Sequence, residues 1–317
     1  MGMREDVERL AAPGERLVGR PGHEIARQYL LERMAALGLQ AYGGDSFVWP
    51  YERDGKAFCN LLGVVPGQDP AAAEIVLLAH YDTFGIQPGA DDNAAAIAMS
   101  LAIVPRLQSA SLRHDMVVAL VDAEEPPFGF TPAMGSVHFY RHQRKKPTLA
   151  AVSLDLMGHG VDVPGMENAV FITGMESDPG LVKVLEKAAA ACPEIQATPS
   201  LNAYVGDLSD HHVFRLHQRP YLFLTCGRWQ HYHQPSDTPE KLNYEKMDLM
   251  ADFLFAILTA IDSQSLEGPF EGYDSTEAEL GFLNQSLAPL LKQMNLTLRK
   301  RKDIDYLVNA LVRGIGL

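Results

Sequence analysis

Two adjacent glutamates, Glu124 and Glu125, stand at a position where their charges need an explanation. They stand shortly after the apolar run 117–121, and Pro126 and Pro127 prevent a helix from continuing through them. Neighbouring carboxylates at a buried edge resist joint ionisation unless a positive charge compensates them. Two glutamates on the solvent-exposed face of a helix would need no such compensating charge. One glutamate bound to a metal and its neighbour acting as a general base would account for both.

A second acidic pair, Asp91 and Asp92, lies in the segment Gly-Ala-Asp-Asp-Asn, directly before a predicted helix. An aspartate at that place is readily explained as a helix N-cap. Capping needs only one acid, however, and a second buried carboxylate is costly without a nearby cation. One of the two aspartates is therefore a candidate for bridging metal ions.

Histidines and a further aspartate complete a mixed set of nitrogen and oxygen ligands. His80 ends an apolar strand, and Asp82 follows at a spacing that lets a carboxylate orient a ligating imidazole. Alone, this pair is equally explained as a structural hydrogen bond. Asp155 ends another apolar strand, whereas His231 and His233 flank a tyrosine in a loop, where either ring could instead be solvated. Zinc accepts such a set, and manganese or cobalt are plausible substitutes.

The elements that must position these residues alternate between apolar strands and amphipathic helices. We predict strands at 46–51, 58–65, 74–80, 116–121, 150–154, 170–173 and 221–225, and helices at 21–38, 93–107, 180–191 and 243–261. This alternation predicts a three-layer α/β fold, in which helices cover both faces of a mainly parallel mixed sheet. Ligands bind beyond the carboxyl ends of the strands in such sheets. His80, the glutamate pair and Asp155 all lie at predicted strand ends.

Composition limits the other classes of function. The 27 Lys and Arg residues against 40 Asp and Glu residues give a net charge of −13, which disfavours a nucleic-acid partner. We find neither a run of about 20 apolar residues for a membrane span nor the apolar core of a signal peptide. The cysteines Cys59, Cys192 and Cys226 are scattered, without a Cys-x-x-Cys pair, so we expect reduced thiols, no closed structural zinc site and a cytoplasmic location.

The chain changes character after about residue 263. Helices are predicted near 276–294 and 303–312, without a catalytic pattern. We therefore expect a catalytic domain at 1–263 and a helical extension at 264–317. The extension would pack on that domain or on a second subunit in a homo-oligomer.

Taken in order, the motifs resemble those of bacterial leucyl aminopeptidases of the dizinc metallopeptidase type. Glutaminyl cyclases and glutamate carboxypeptidases share the same clan. The motifs that carry the resemblance are His80-Tyr81-Asp82, Pro88-Gly89-Ala90-Asp91-Asp92-Asn93, Glu124-Glu125, Asp155, Tyr232-His233 and Asp237-Thr238. The similarity runs from the helix near 22–38 to about residue 242. It implies a zinc-exopeptidase, phosphorylase/hydrolase-like fold.

Position by position, the resemblance implies two Zn²⁺ ions that share Asp92. Glu125 and His233 would complete one site, and His80 and Asp155 the other. The resemblance further implies a cis peptide after Asp92.

Catalytic roles also follow from the resemblance. It implies Glu124 as the general base for a hydroxide between the metals, with Asp82 orienting His80. Tyr232 would donate a hydrogen bond to the tetrahedral intermediate. The segment Ser209-Asp210-His211 matches a further family motif on the pocket side, without an assigned role.

These features together predict an aminopeptidase that hydrolyses the N-terminal bond of a peptide or aminoacyl amide, without a nucleic-acid or membrane partner. Glutaminyl cyclisation with one zinc is the first alternative, and a non-catalytic binding protein that kept the fold is the second. Four residues could line the pocket or belong to the core: Met134, Val205, Phe214 and Trp229. We expect the proline-rich stretch 126–134 to shape the substrate pocket.

Overall fold

A single mixed sheet forms the centre of the protein. The structure is a computed structural model that describes residues 2–270 and 272–315, the last three by their backbone alone. Within these residues nine strands pair in one sheet. They are β1 (Gln40–Ala41), β2 (Val48–Arg53), β3 (Lys56–Val65), β4 (Glu74–His80), β5 (Met116–Val121), β6 (Thr148–Leu154), β7 (Ala169–Thr173), β8 (Gln196–Pro199) and β9 (Tyr221–Thr225).

Parallel pairing joins the strands at the middle of the sheet. The spatial order is β1-β3-β5-β4-β6-β9-β7-β8, with β2 paired to β3. Strands β5, β4, β6 and β9 run parallel, whereas β3 lies antiparallel to β5 and β7 antiparallel to β9. Every residue of β4, β5 and β9 is buried, which explains why their sequences are apolar except at the ends of β4 and β9.

Helices cover both faces of the sheet, as predicted. They are α1 (Met3–Ala11), α2 (Pro21–Ala36), α3 (Ala96–Ala102), α4 (Val104–Ser109), α5 (Gly135–His138), α6 (Gly180–Ala191), α7 (Asn202–Val205), α8 (His212–Leu216), α9 (Tyr244–Asp262), α10 (Thr276–Ser286), α11 (Ala288–Gln293) and α12 (Arg301–Ile315). Alternate residues of β4 enter two separate cores. Leu77 packs in the core that contains Leu254 of α9, and Val76 in the core that contains Phe214 of α8. The three-layer α/β prediction is confirmed.

Two predicted helices are broken into shorter segments. The helix expected at 93–107 begins only at Ala96 and is divided between α3 and α4, where Pro105 stands in the first turn of α4. The helix expected at 276–294 is divided at Leu287, and Pro289 stands in the first turn of α11. In both places proline lacks the amide that an uninterrupted helix would use. Helix α1 was not predicted.

Among the C-terminal helices, α10 packs against the edge strand β8, and α12 packs against α7. Glu279 of α10 is fully buried and forms a two-pronged ion pair with Arg301 of α12. The boundary between a catalytic domain and an extension stays a prediction.

None of the helices in the described part of the chain combines the length and the apolar character that a bilayer span requires. The three cysteines carry free thiols.

Candidate metal centre

Neighbouring parallel strands bring the predicted ligands to one edge of the sheet. β4 ends at His80, and β5 is followed within four residues by Glu124 and Glu125. β6 ends at Leu154, directly before Asp155. Because β5, β4 and β6 are adjacent and parallel, their carboxyl ends meet at the same rim.

Asp92 is shared by two clusters of side chains that can ligate metals. One cluster is His80, Asp92 and Asp155, and the other is Asp92, Glu125 and His233, with candidate ligand atoms within 4.8 Å of one another in each. Oδ1 of Asp92 lies 3.4 Å from Nε2 of His80, and Oδ2 lies 3.1 Å from Nε2 of His233. One carboxylate therefore faces both clusters, with a different oxygen toward each. That these five residues bind metal stays a prediction.

The clusters contain buried polar atoms that lack a hydrogen-bond partner among the described residues. These are both ring nitrogens of His80, Oε1 of Glu125 and Oδ1 of Asp155. An unsatisfied buried polar atom typically costs about 1–3 kcal/mol, and crowded carboxylates repel one another. Metal ions would satisfy Nε2 of His80 and the two carboxylate oxygens and would neutralise the acids together, whereas Nδ1 of His80 faces Asp82. The imidazole and carboxylate donors fit zinc, so the residues present are suited to the predicted ion.

Asp82 connects the first histidine to the glutamate pair. Its Oδ1 lies 3.4 Å from Nδ1 of His80. Its two oxygens also accept hydrogen bonds from the backbone amides of Glu124 and Glu125, each at 3.1 Å. The chain enters this turn through Ala123 with a positive φ of 57°. The carboxylate of Asp82 is thus placed to fix both the imidazole and the turn that presents the glutamates.

The loop before α3 holds Asp92 in an irregular conformation. Gly89 has a φ of 59°, and a Cβ atom there would lie 2.4 Å from the carbonyl oxygen of Asp92. The peptide between Asp92 and Asn93 is cis, as expected. The Asn93 side chain donates to the carbonyl of Leu154 at 2.9 Å, and Asp237 accepts from the Asp92 amide at 3.1 Å. The loop is therefore tied to β6 and to the segment after His233.

Comparison with known families assigns the chain. The model of peptidase family M28 matches residues 60–258, which include all five candidate ligands and Glu124. The chain belongs to peptidase family M28. The predicted resemblance is confirmed at this level, and M28 membership makes the protein a member of a metal-dependent peptidase family.

Individual relatives of this M28 chain are distant. It is 25% identical over 226 residues to the uncharacterized protein YfbL of Escherichia coli, a match that covers 62% of this chain and 69% of the relative. It is 29% identical over 205 residues to endoplasmic reticulum metallopeptidase 1 of Mus musculus, a match that covers 59% of this chain but only 22% of that longer protein.

Solved structures share the fold at lower identity. The Legionella pneumophila LapA aminopeptidase superposes with a TM-score of 0.69 at 20% identity, covering 84% of this chain and 71% of that one. A Bacteroides thetaiotaomicron glutaminyl cyclase superposes with a TM-score of 0.66 at 17% identity, covering 83% and 97% of the two chains. An aminopeptidase and a glutaminyl cyclase of the predicted clan therefore share the fold of this M28 protein.

The M28 site opens into a cavity lined by both acidic and apolar side chains. The acidic ones are Asp92, Glu124, Glu125 and Asp155. The apolar ones are Leu156, Leu208 and Phe223, and Arg228 and Tyr232 also border the cavity. The four residues whose placement the sequence left open do not line it. Met134 and Phe214 are fully buried in a core, Trp229 stacks on His159 at 4.5 Å between centroids, and Val205 is half-buried on α7.

Aromatic rings hold His233 from both sides of its imidazole. The ring centroid of Tyr232 lies 3.8 Å from that of His233, and the centroid of Phe84 lies 4.3 Å from it. The backbone at His233 has a positive φ of 55°. The ring contacts fix the plane of the imidazole and leave its Nε2 atom directed at Asp92 and Glu125.

Burial and neighbouring charges shift the pKa values of the clustered groups. Burial, reinforced by Asp155 and Glu125, raises the pKa of Glu124 well above its ordinary value, although His80 opposes the shift. Burial, reinforced by Asp92, raises the pKa of Glu125 to about 8. Burial lowers the pKa of His233, but the carboxylates beside it outweigh this effect and raise the pKa to about 9. Without a metal, Glu125 and His233 are therefore protonated at neutral pH, and binding of a cation between them would release these protons.

Asp210 is a buried acid beside the site to which sequence reasoning assigned no role. Its side chain is inaccessible to solvent, and neither carboxylate oxygen makes a well-aligned hydrogen bond to another described residue. Burial raises the pKa of Asp210 to about 7, and its charge in turn raises the pKa of Glu124. The motif Ser209-Asp210-His211 is the sequence feature that pointed to this residue.

Arg16, which sequence reasoning missed entirely, lies behind the Asp92 loop. It is fully buried and donates to the carbonyl oxygens of Tyr81 at 2.8 Å, Pro88 at 2.6 Å and Gly89 at 2.9 Å. A longer bond of 3.3 Å reaches the carbonyl of Asp92. Burial lowers its pKa to about 10, so Arg16 remains a cation at neutral pH. A lone arginine before a helix has no sequence pattern that could reveal this role.

Proposed function

We propose that this protein is an aminopeptidase that holds two zinc ions through Asp92, His80 and Asp155 on one side and Asp92, Glu125 and His233 on the other. The observation that carries the proposal is the shared carboxylate, because the two oxygens of Asp92 face separate histidines. A single ion held by either cluster would use one of these oxygens and would leave the other histidine without a metal. Bound ions would supply the positive charge that polarises a scissile carbonyl and acidifies a water molecule.

Glu124 is the proposed general base. It borders the cavity between the two clusters, and its carboxylate lies 3.9 Å from Nε2 of His80 without belonging to either ligand set. It would take a proton from the attacking water and return it to the leaving amine. Proton transfer by a positioned side chain is typically worth about 10²–10⁴ in rate.

Tyr232 is the proposed donor to the carbonyl oxygen as negative charge develops there. Burial raises the pKa of its phenol above the ordinary value, so the hydroxyl keeps its proton through the neutral range. Its ring is held against His233, which limits its movement relative to the proposed ligands. A pre-positioned donor of this kind stabilises an oxyanion without having to reorganise during the reaction.

The acidic residues that line the cavity support cleavage next to a free N-terminus. Carboxylate oxygens of Glu125 and Asp155 are the natural acceptors for a substrate α-ammonium group. The apolar side chains of Leu156 and Phe223 would then contact the side chain of the first substrate residue. Acetylation of the substrate amine removes the charge and so should abolish cleavage.

Metal-loaded protein tests the proposal directly. Metal-free protein is reconstituted with zinc, manganese or cobalt and assayed on a panel of aminoacyl anilides and their N-acetyl counterparts. We expect cleavage of the free amines alone, with two metal ions per chain at full activity. Full activity with one zinc, with conversion of N-terminal glutamine to pyroglutamate and release of ammonia, would replace the proposal with a cyclase. Failure to hydrolyse any substrate with any metal would favour a non-catalytic protein.

A further inference from the structure

Arg228 places a positive charge at the mouth of the cavity. It follows β9 in the segment Cys226-Gly227-Arg228, and its side chain is exposed. It lines the same cavity as Asp92 and Glu124. Its guanidinium group lies 5.0 Å from the ring centroid of Tyr232, so a proposed catalytic side chain also orients this cation.

The charge of Arg228 has no acidic partner among the described residues. Arg106 makes the contrast clear, because its guanidinium also lies over a ring, that of Phe255 at 4.1 Å. Arg106 pairs with Asp252 at 2.5 Å, as exposed arginines commonly do. Arg228 makes the ring contact but no ion pair with any residue that the structure describes, in a chain whose net charge is −13.

The cavity walls restrict where a negative group of a substrate can bind. Apolar side chains of Leu156, Leu208 and Phe223 line the cavity together with carboxylates. A substrate carboxylate would be desolvated against the apolar side chains and repelled by Glu124, the acid of the lining that is not a proposed ligand. The mouth beside Arg228 is therefore the favourable place for it. The guanidinium rests on the Tyr232 ring and can offer two parallel N–H groups, the geometry that matches a carboxylate.

We propose that Arg228 binds a carboxylate of the substrate and so selects substrates that carry one near the scissile bond. This inference rests on the proposed aminopeptidase function. A peptide residue spans about 3.5 Å, so only a group within one or two residues of the cleaved bond can reach the mouth. Two sources satisfy this limit: the C-terminal carboxylate of a dipeptide, or the side chain of an acidic first residue.

Two matched substrate pairs separate these sources. Leu-Ala and Leu-Ala amide differ only in the C-terminal carboxylate, whereas Glu and Gln p-nitroanilides differ in the side-chain carboxylate. The measured quantity is the ratio of kcat/KM for the charged member to that for the neutral member. We expect a ratio of about 10–100 in one pair, as a charge-assisted hydrogen-bonded pair would give. The pair that shows it identifies the source.

Arg228→Gln should bring that ratio close to one, and Arg228→Lys should give an intermediate value because it keeps the charge but loses the planar fork. Arg106→Gln is the matched control, since it also removes an exposed arginine from an aromatic ring, and it should keep the wild-type ratio. Added salt should lower the ratio in the wild type by screening. Zinc content and thermal unfolding of each variant verify that the proteins compared are folded and loaded.

The assays distinguish a failure of the proposed role of Arg228 from a failure of the proposed peptidase function. Ratios near one for the wild type in both pairs, or a ratio that Arg228→Gln leaves unchanged, would overturn the role of Arg228 while hydrolysis of the neutral substrates still supports the peptidase. Absence of hydrolysis of all four substrates and of neutral anilides would overturn the proposed function, and the assignment of Arg228 with it.

Discussion

The carboxylate of Asp237 accepts a hydrogen bond from the backbone amide of Asp92, 145 residues earlier in the chain. Its other oxygen accepts from the amide of Asp91 at 2.9 Å, and the side chain is fully buried. Asp237 therefore supports the loop of the shared carboxylate from behind, without belonging to either cluster. Its place in the closing motif Asp237-Thr238 is explained by this contact rather than by ligation.

Asp237→Ala should weaken metal binding although no proposed ligand is changed. Loss of such a supporting partner typically costs 10–100-fold in metal affinity, and we expect a loss of about this size in the zinc dissociation constant. Competition with a chromophoric chelator measures it. Asp262→Ala is the matched control, because Asp262 also accepts from two consecutive backbone amides, those of Arg113 and His114, outside the metal centre. Equal zinc affinities in both variants and the wild type would contradict the supporting role.

The shared position of Asp92 predicts unequal metal losses when single ligands are removed. Asp92→Asn should reduce the zinc content from two ions per chain to fewer than one, because both clusters lose a carboxylate. Asp155→Asn and His233→Gln should each lose about one ion. Elemental analysis after dialysis measures the stoichiometry, with the exposed Asp45→Asn as a control that keeps both ions. Loss of a single ion in Asp92→Asn would show that this carboxylate is not shared.

The adjacent glutamates predict opposite defects. Glu124→Gln should retain both metals and lose about 10²–10⁴ in kcat, since it removes the proposed base but no ligand. Glu125→Gln should instead lose metal affinity, since its Oε1 lies 3.3 Å from Nε2 of His233 within a cluster. Parallel zinc titrations and turnover assays distinguish the two. Near wild-type kcat in Glu124→Gln would remove that residue from the mechanism.

Sequence reasoning located the proposed ligands because strand ends are visible as apolar runs. His80 and Asp155 stand at such ends, and a parallel sheet brings the ends to one rim. The residues that hold the loops were not visible in the same way. Arg16 acts through bonds to backbone carbonyls, and Arg228 through its position beside Tyr232. Both relationships exist only after the chain has folded.

Helix boundaries were less predictable for a related reason. Apolar periodicity marks the buried face of a helix but does not show where the backbone breaks. Pro105 and Pro289 each stand in the first turn of a new helix in the structure, where the periodic pattern alone favoured one continuous helix. Helix α1 was overlooked because its charged residues hide a short buried face, formed by Val7 and Leu10 among others.

Glu74 predicts a pH dependence of stability that is separate from the metal centre. It is buried at the start of β4, with Tyr42 donating to its carboxylate at 2.8 Å. Burial raises its pKa from 4.5 to about 7. The folded protein thus binds this proton more tightly than the unfolded chain. The contribution to stability is fully present below pH 4.5 and is lost as the pH rises through about 7.

Glu74→Gln should remove this dependence. Between pH 4.5 and pH 8, the free energy of unfolding of the wild type should fall relative to the variant by on the order of 2–3 kcal/mol. Denaturant titrations at both pH values, with equal metal content, measure the difference. Glu52→Gln, at an exposed position, is the control, and its free energy of unfolding should change with pH as that of the wild type does. A difference between variant and wild type that stays constant with pH would refute the assignment to Glu74.

The ion pair between Glu279 and Arg301 predicts how firmly α12 is attached. Glu279 is fully buried, and its oxygens accept from two guanidinium nitrogens at 2.7 Å each, while Ser275 donates to Oε1 at 2.6 Å. Arg301→Gln leaves the buried carboxylate without its cation, so we expect a destabilisation of about 3 kcal/mol. Combining it with Glu279→Gln should restore much of the loss, because neutral amides replace the uncompensated charge. Thermal and denaturant unfolding of the two single variants and the double variant give the free energies of a double-mutant cycle. Strictly additive losses of stability would show that the two residues contribute independently.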